Sequence, residues 1–414
     1  MSVVGAEEVE GAAAAGVLPV GARDIVTPLA RERARELGVQ LVVATPGTAA
    51  AVVGDRLAAR SGSVSDTGDR SEPRLLFDAA PPLPMPPIGA LFRRGAPLPA
   101  GMRGAGGNTG RVVVVGAGNV GTITALRLAD ADVFTEIVLV DVDEGRAQGV
   151  ALDLTHAAAL AGFTTRVRGT GVVADAGPAD YVVITAGRAR QPGMSRSDLV
   201  STNAAIVGEV AEQVADTCPD AVILVVTNPL DEMTQHAWRA SGFPSHRVLG
   251  MAGVLDTARF QALAALTGVD RADRIAAAAL GSHGAEMVIP LSQASAGGQP
   301  LALDAATLDA LVARTRESGA EVVGLLRSGS AFVAPGAAAA RMVLAMATDS
   351  DEVMTAAVLA DGSYGIRDGY VGLPVRLGRH GLREIVQLDL QPDELAALRA
   401  AADRIRERVG ALTP

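Results

Sequence analysis

A buried strand, a glycine-rich turn and a helix follow one another from residue 111. The run RVVVVG (111–116) is continuously apolar, typical of a parallel strand covered on both faces, and VGTITALRLADA after it has helical spacing. Similar strands recur as EIVLVD, DYVVITAG and AVILVVTNP, separated by helix-compatible segments. Repeated strand, helix and strand units require right-handed crossovers. The sequence therefore predicts an α/β fold built on a doubly wound parallel sheet.

The turn after the first strand has the spacing Gly-x-Gly-x-x-Gly and predicts a dinucleotide site. Gly116 permits the tight turn, Gly118 lets the backbone approach a pyrophosphate, and Gly121 lets the helix pack closely on the strand. Asp141 closes the next strand, where its carboxylate can accept both ribose hydroxyls and would repel a 2′-phosphate. We therefore expect a Rossmann-type domain that binds NAD rather than NADP. The expected cofactor residues here are Gly116, Gly118, Asn119, Val120, Gly121 and Asp141.

Beyond about residue 250 the pattern becomes mixed. Helices are expected over 304–328 and 392–412, and antiparallel strands in GYVGLPVRL and EIVQLDL. We therefore expect a NAD-binding domain over 110–250 and a mixed α+β substrate domain over 251–414.

Residues 1–109 form an N-terminal extension of different character. A short helix is expected near 28–37, because Thr27 can cap it and Pro28 suits the first helical position. Its expected apolar face comprises Leu29, Ala30, Ala34 and Leu37. A strand is expected in QLVVA, which follows the helix.

The rest of the extension, 45–110, is rich in Gly, Ser and Pro and has no sustained period. This composition predicts an extended or disordered linker, so the extension is expected to be partly disordered. The alternative for the whole extension is a misassigned start, with translation beginning at Met102.

Charge and composition bear on partners and location. The formal net charge of -10 argues against nucleic acid and against an anionic lipid surface. The acidic start MSVVGAEEVEG lacks the basic region of a secretory signal, and no apolar run approaches a membrane span. The single cysteine, Cys218, excludes a disulfide framework and a thiolate metal cluster. We expect a cytoplasmic protein without a metal.

One of the five histidines has partners that suit chemistry. His283 lies among small residues in AALGSHGAEM, and Asp256 and Arg259 share a helix face in GVLDTARF. A carboxylate could fix the imidazole tautomer while a guanidinium grips a substrate carboxylate. The other histidines are expected at surface or packing positions: His156, His236, His246 and His380.

From Gly110 to the C-terminus the chain resembles the lactate/malate dehydrogenase family. The shared segments, in the family's order and spacing, are GAGNVG, AGRARQPGMSR, VVTNPLDEMT, GMAGVLDTARF and GSHGAEM. The resemblance is greatest to malate dehydrogenases of lactate-dehydrogenase-like architecture. It implies that His283 exchanges the substrate proton, that Asp256 orients it, and that Arg259 binds the C1 carboxylate.

The same resemblance implies further roles around the substrate and cofactor. Arg196 would lie on a mobile loop and polarise the reacting carbonyl, and Arg190 would meet the second carboxylate. Asn228 would bind both substrate and cofactor, and Asn203 would contact the nicotinamide half, with Val226 also on the cofactor side. The implied reaction is reversible hydride transfer between (S)-malate and oxaloacetate, a step of the tricarboxylic acid cycle, in a homodimer or homotetramer.

Departures from the family leave alternatives open. The family usually has Gly-Gly-His-Gly-Asp where this chain has Ser282 and Ala285, a change expected to affect loop geometry or pH profile. Arg188 makes a two-residue slip of the loop conceivable, and a lactate-type or other 2-hydroxy acid dehydrogenase is the nearest alternative. The extension's IVTPLARERARELGV weakly resembles a segment of bacterial microcompartment enzymes. A non-catalytic NAD-binding or scaffold subunit is the alternative from another class.

Overall fold

The computed structural model describes residues 3–4, 6–13, 15–21, 25–26, 28–44, 108–188, 196–327 and 329–410. The chain divides into two compact units, Met1–Pro87 and Ile88–Pro414. Residues 45–107, over which the sequence predicts most of the linker, lie outside the described residues.

The N-terminal unit is a small α/β arrangement. Its elements are β1 (Val3–Val4), α1 (Ala6–Gly11), β2 (Val17–Gly21), β3 (Ile25–Val26), α2 (Pro28–Glu36) and β4 (Gln40–Ala44). β1 pairs with β3 and β2 with β4, both parallel. A small core joins the helices, and its buried members are Val9, Ala12, Ala30, Ala34 and Val39.

Two elements of this unit coincide with those that the sequence predicts. α2 covers most of the helix near 28–37, and β4 is the predicted QLVVA strand. Ala30 and Ala34 are buried as expected, but the expectation for Leu37 is wrong. The helix ends at Glu36, so Leu37 lies in the following turn with 37% of its surface exposed. The remaining strands and α1 were not anticipated, since short parallel pairs carry little local signal.

The C-terminal unit opens with alternating strands and helices. They are β5 (Arg111–Val115), α3 (Asn119–Ala131), β6 (Glu136–Val140), α4 (Glu144–Ala161), β7 (Arg166–Thr170), α5 (Val173–Ala176), β8 (Tyr181–Ile184), α6 (Arg196–Thr217), β9 (Val222–Val225), α7 (Leu230–Ser241) and β10 (Val248–Gly250). The strands lie side by side in the parallel order β7-β6-β5-β8-β9-β10. This order confirms the predicted Rossmann-type doubly wound sheet.

Helices cover both faces of this sheet, which explains its continuously apolar strands. In β5, Val112 and Val114 pack in one buried cluster with residues of α3 and α4. Val113 and Val115 pack in another with residues of α6 and α7. Because successive side chains point to opposite faces, a strand covered on both sides needs apolar residues at every position.

The second half of the unit mixes helices and antiparallel strands, as predicted. Its elements are α8 (Gly253–Ala265), β11 (Ile275–Ala276), β12 (Leu280–Gly281), β13 (Met287–Val288), β14 (Ser295–Ala296), β15 (Gln299–Pro300), α9 (Ala305–Leu326), α10 (Val333–Ala347), β16 (Val353–Asp361), β17 (Arg367–Gly378), β18 (Gly381–Ile385) and α11 (Pro392–Gly410). Strand β16 pairs antiparallel with β10 and carries the sheet on through β17, β12 and β13. Strands β11, β14 and β15 form a separate antiparallel sheet.

The predicted strand EIVQLDL is only partly correct. β18 ends at Ile385, and the backbone that follows makes hydrogen bonds with the side chain of Tyr364. The Tyr364 hydroxyl donates to the Val386 carbonyl oxygen at 2.7 Å and accepts from the Leu388 amide at 2.8 Å. These bonds occupy backbone groups of the segment that follows β18.

The topology brings distant segments to one end of the sheet. The strand order reverses between β5 and β8, and the carboxyl ends of parallel strands on either side of such a point enclose a crevice. His283 lies in the segment joining β12 to β13, and Asp256 and Arg259 lie in the first two turns of α8. Among the described helices, none is both long and apolar enough to span a membrane.

Candidate active site

The glycine-rich turn joins β5 to α3. Gly116 has φ of +106°, a left-handed backbone that favours glycine. A Cβ at Gly121 would overlap the Gly116 carbonyl oxygen, so only glycine allows the helix to start this close to the strand. A Cβ at Gly118 would meet no atom within 4 Å. The turn is therefore tight on its protein side and open at Gly118. Asn119 is exposed and Val120 half-buried at the first turn of α3.

Asp141 lies directly after β6 and faces this turn. One carboxylate oxygen accepts from the Ala117 amide at 2.8 Å, and the other accepts from the Asp143 amide at 3.0 Å. The Arg146 guanidinium donates to the Ala117 carbonyl at 3.1 Å and ties the same turn to α4. These bonds orient the carboxylate beside the glycine-rich turn, and each oxygen can still accept from a further donor.

Asn203, on α6, connects the segments that follow β8 and β9. Its side-chain oxygen accepts from the Arg188 amide at 2.8 Å. Its side-chain nitrogen donates to the Asn228 carbonyl at 2.6 Å and to the Arg188 carbonyl at 3.2 Å. Asn203 is buried, whereas the side chain of Asn228 is exposed, and Val226 is buried at the end of β9. The Asn203 side chain therefore links the backbone at Arg188 to the backbone at Asn228.

Two arginines, Arg190 and Arg196, are expected on the loop before α6. Arg190 lies outside the described residues, and Arg196 is the first residue of α6. The backbone at Arg188, two residues before Arg190, is held by Asn203 as described above.

His283, Asp256 and Arg259 come together, as the sequence led us to expect. His283 Nδ1 lies 2.7 Å from Asp256 Oδ2, and Arg259 Nη1 donates to Asp256 Oδ1 at 3.0 Å. Asp256 is buried, while the side chains of His283 and Arg259 keep 17% of their surface exposed. A carboxylate on Nδ1 fixes the tautomer and leaves Nε2 as the nitrogen that can exchange a proton.

The electrostatics of this cluster favour the charged imidazole. Burial alone would lower the pKa of His283, but the charge and hydrogen bond of Asp256 and the charge of Asp231 outweigh it. The pKa of His283 is therefore raised above its usual value, even though Arg259 opposes the change. This shift favours the protonated imidazole, which can donate a proton and, once neutral, accept one.

A second buried carboxylate, Asp231, touches the segment that contains the histidine. Asp231 Oδ2 accepts from the His283 backbone amide at 3.0 Å and from the Ser282 hydroxyl at 2.9 Å. The Arg408 guanidinium reaches the Ser282 hydroxyl at 3.1 Å and pairs with Glu232 at 2.6 Å. Burial, and then the charge of Glu232, raise the pKa of Asp231 to about 6.

Sequence reasoning missed this second carboxylate. Asp231 follows Asn228 by three residues within the segment VVTNPLDEMT, in which the family resemblance implies a role only for Asn228 and Val226. An acidic residue just after a buried strand, in the first turn of a helix, was the available signal. Arg408 gave none, since it lies 176 residues from its partner Glu232.

Other features of the described part do not compete with this cluster. A cavity of about 530 Å³ lies between α6, α7 and the end of α11, and it contains none of the site residues expected from the sequence. Within the described residues, no group of three or more His, Cys, Asp or Glu is arranged to hold a metal ion.

Two family models match the chain. Residues 110–250 match the model described as lactate/malate dehydrogenase, NAD binding domain. Residues 253–412 match the model described as lactate/malate dehydrogenase, alpha/beta C-terminal domain. Together they cover nearly the whole segment that resembles the family in sequence.

Individual relatives agree with these models. The malate dehydrogenase of Pelodictyon phaeoclathratiforme is 44% identical over 300 residues, 72% of this chain and 96% of that protein. The solved malate dehydrogenase of Salinibacter ruber has a TM-score of 0.70 at 41% identity, covering 73% of this chain and 97% of that one. A lactate dehydrogenase of Cryptosporidium parvum, complexed with lactic acid and nicotinamide adenine dinucleotide, has a TM-score of 0.71 at 35% identity, covering 73% of this chain and 98% of that one.

Proposed function

The chain belongs to the lactate/malate dehydrogenase family, and we propose that it catalyses the reversible, NAD-dependent oxidation of (S)-malate to oxaloacetate. The observation that carries the proposal is the cluster of His283, Asp256 and Arg259, with contacts of 2.7 and 3.0 Å. It provides a proton-exchanging group and a carboxylate-binding group side by side. Relatives named malate dehydrogenase at about this identity support the choice of substrate.

His283 is proposed as the general acid and base. In the oxidation direction its neutral Nε2 takes the proton of the substrate hydroxyl, and the Asp256 carboxylate stabilises the imidazolium that forms. In the reduction direction the same nitrogen returns the proton to the carbonyl oxygen. NAD, when bound, supplies the acceptor and donor of the hydride.

Arg259 is proposed to hold the C1 carboxylate of the substrate. Within the described residues, Asp256 is the partner of one guanidinium nitrogen, which leaves other N–H groups for a second carboxylate. We propose Arg190 for the distal carboxylate, Arg196 for the reacting carbonyl and Asn228 for the same substrate. A guanidinium on the carbonyl oxygen offsets the charge that develops there in the transition state. In other enzymes, removing one such donor raises the activation free energy by about 3–4 kcal/mol.

The residues present fit a dinucleotide. A pyrophosphate needs close backbone approach, and the open space at Gly118 beside the first turn of α3 provides it. The Asp141 carboxylate lies beside that turn, where it can accept ribose hydroxyls and repel a 2′-phosphate. Asn119, Val120 and Val226 are proposed to line the same site, and Asn203 to position the backbone around it.

The organisation of the chain is proposed from the same reasoning. We assign an N-terminal extension to 1–109, the NAD-binding domain to 110–250 and the substrate domain to 251–414. A homodimer or homotetramer is proposed on the resemblance to the family alone. A cytoplasmic location is proposed, with the microcompartment lumen as the alternative that the extension suggests.

Substrate choice is the most direct test of the proposal. Purified full-length protein is assayed for NADH oxidation with oxaloacetate, pyruvate and other 2-keto acids, and again with NADPH. We expect kcat/KM to be highest with oxaloacetate and NADH. A preference for pyruvate would favour the lactate-type alternative, and no turnover of any 2-keto acid with retained NADH binding would favour a non-catalytic subunit.

A further inference from the structure

We propose that Asp231 is a second positioning residue of His283: it fixes the backbone of the histidine and, through its charge, favours the protonated imidazole. The inference rests on the proposed function, because it concerns how the proposed acid and base is tuned. It differs from the role of Asp256, which contacts the imidazole ring itself.

The geometry places Asp231 beneath the histidine. Asp231 is 1% exposed and lies in the first turn of α7, where the positive end of the helix dipole favours a negative charge. The same oxygen, Oδ2, accepts both the His283 amide at 3.0 Å and the Ser282 hydroxyl at 2.9 Å. The side chain therefore links α7 directly to the segment after β12.

Ser282 extends this link to the C-terminal helix. Its hydroxyl donates to Asp231 and accepts from Arg408 at 3.1 Å, so a single hydroxyl relates the carboxylate to a guanidinium on α11. Ser282 is one of the positions where this chain departs from the glycine usual in the family. The hydroxyl is thus a feature of this chain that lowers the pKa of Asp231, against the larger opposite effect of burial.

Five other charged side chains face Asp231 and His283 from the elements packed against them. None of the five accepts a hydrogen bond from the His283 amide. They are Glu232 on α7, Asp256 and Arg259 on α8, Glu286 before β13, and Arg408 on α11. Glu232 and Glu286 are both paired with Arg408. Asp231 has no ion-pair partner among the described residues, so its charge acts on His283 without a direct counter-ion.

Asp231→Asn is the variant that separates the charge of Asp231 from its hydrogen bonds. Within the described residues, Asp231 Oδ1 and Gln235 Oε1 are buried without a hydrogen-bond partner, and they belong to residues one helical turn apart. In Asp231→Asn, the amide oxygen can take the place of Oδ2 and accept from the Ser282 hydroxyl and the His283 amide. The substitution removes the charge and keeps the hydrogen bonds, so it separates the two effects.

The first measurement follows the titration of His283 without substrate. The imidazoles of the full-length protein are labelled and observed by NMR, and the His283 resonance is identified as the one missing in His283→Asn. We expect the pKa of His283 to fall in Asp231→Asn, and to fall less in Ser282→Ala, which keeps the carboxylate but removes one of its hydrogen bonds. As a matched control, Asp273→Asn removes a carboxylate that is 65% exposed and should leave the titration unchanged.

The second measurement compares the pH profiles of the two reaction directions. Reduction needs protonated His283 and oxidation needs neutral His283, so a lower pKa moves the basic limb of one and the acid limb of the other to lower pH together. At a pH on the basic limb we expect Asp231→Asn to lose at least about twofold in reduction, the lower end of the coupling between contacting residues. Structural damage alone would lower both directions at every pH.

The unfolding temperature distinguishes a change in the pKa of His283 from a loss of folded structure. Because folding raises the pKa of Asp231, its ionised form costs stability above a pH of about 6, and this cost disappears as the pH falls through the ordinary value of an aspartate. We expect Asp231→Asn to unfold at an equal or higher temperature than wild type at about pH 8, with the difference lost at about pH 4.

An unchanged pKa of His283 in Asp231→Asn would overturn the inference, whatever Ser282→Ala does. If Asp231→Asn does not fold, Ser282→Ala alone decides, and an unchanged titration there would overturn it as well. Absence of turnover in wild type would refute the proposed function but not this inference, since the titration needs no substrate.

Discussion

Replacing Asp256 by Asn perturbs the proposed chemistry with little change in shape. In the structure Asp256 is buried and bridges the His283 ring at 2.7 Å and Arg259 at 3.0 Å. An amide of the same size keeps the volume filled but carries no charge. It also presents either an oxygen or an NH₂ group to Nδ1, and the NH₂ orientation would favour the wrong tautomer of the imidazole.

The expected magnitude follows from the lost contact. A hydrogen bond to a charged group contributes roughly 1.5–3 kcal/mol, and both partners here are shielded from water. Since each 1.4 kcal/mol or so of barrier is about tenfold in rate, we expect kcat to fall by roughly 10- to 150-fold. A population of wrong tautomer would add to this loss. The pKa of His283 should also fall, because the Asp256 charge and hydrogen bond raise it.

The assay is NADH oxidation with saturating oxaloacetate, measured across pH. The basic limb of the profile should move to lower pH in Asp256→Asn, while NADH binding stays near the wild-type value. Asp273→Asn, a carboxylate to amide change in an exposed pair with Arg271, is the matched control and should keep wild-type kcat. A loss below about threefold in Asp256→Asn, with an unmoved pH profile, would refute the role of Asp256, since even a weak charged hydrogen bond predicts more.

Further expectations concern the cofactor, the extension and the loop. Asp141→Ser combined with Val142→Arg should shift preference toward NADPH, because it removes the repelling carboxylate and adds a cation at an exposed position; an unchanged ratio of kcat/KM for the two cofactors would argue against Asp141. A chain beginning at Met102 should remain folded with wild-type kcat, since β5 starts at Arg111; loss of soluble protein would show that the extension supports the catalytic unit. Arg190→Gln should lower kcat/KM for oxaloacetate by roughly a hundredfold or more, the scale for breaking a buried charge pair, and should raise the activity on pyruvate relative to that on oxaloacetate. If Arg188→Gln gives that switch instead, the loop register differs by two residues.

The sheet and its glycine-rich turn could be predicted because their signals are local. A strand buried on both faces is apolar at every position, and the spacing of Gly116, Gly118 and Gly121 is set by one turn of chain. The end of β18 could not be predicted in this way, since it depends on the hydroxyl of Tyr364, which comes from a distant segment.

In the site, too, contacts between residues close in sequence could be predicted and contacts between distant residues could not. Asp256 and Arg259 are three residues apart on one helix, so their pairing could be expected, and the small residues around His283 singled out that histidine, whose role the family resemblance then implied. The contact between Arg408 and Glu232 joins residues 176 positions apart and has no sequence pattern. Asp231 was visible in the sequence as an acid after a strand, but its burial, which gives it a role, is a property of the assembled fold.

The measurement that tests the central claim most directly compares wild type with His283→Asn. NADH binding is measured by fluorescence and turnover by NADH oxidation with oxaloacetate, on the same preparations. We expect His283→Asn to bind NADH as wild type does and to lose at least about a hundredfold in kcat, the usual scale for a general acid and base. Equal turnover in the two proteins would contradict the account, since the proton would then be exchanged by another group.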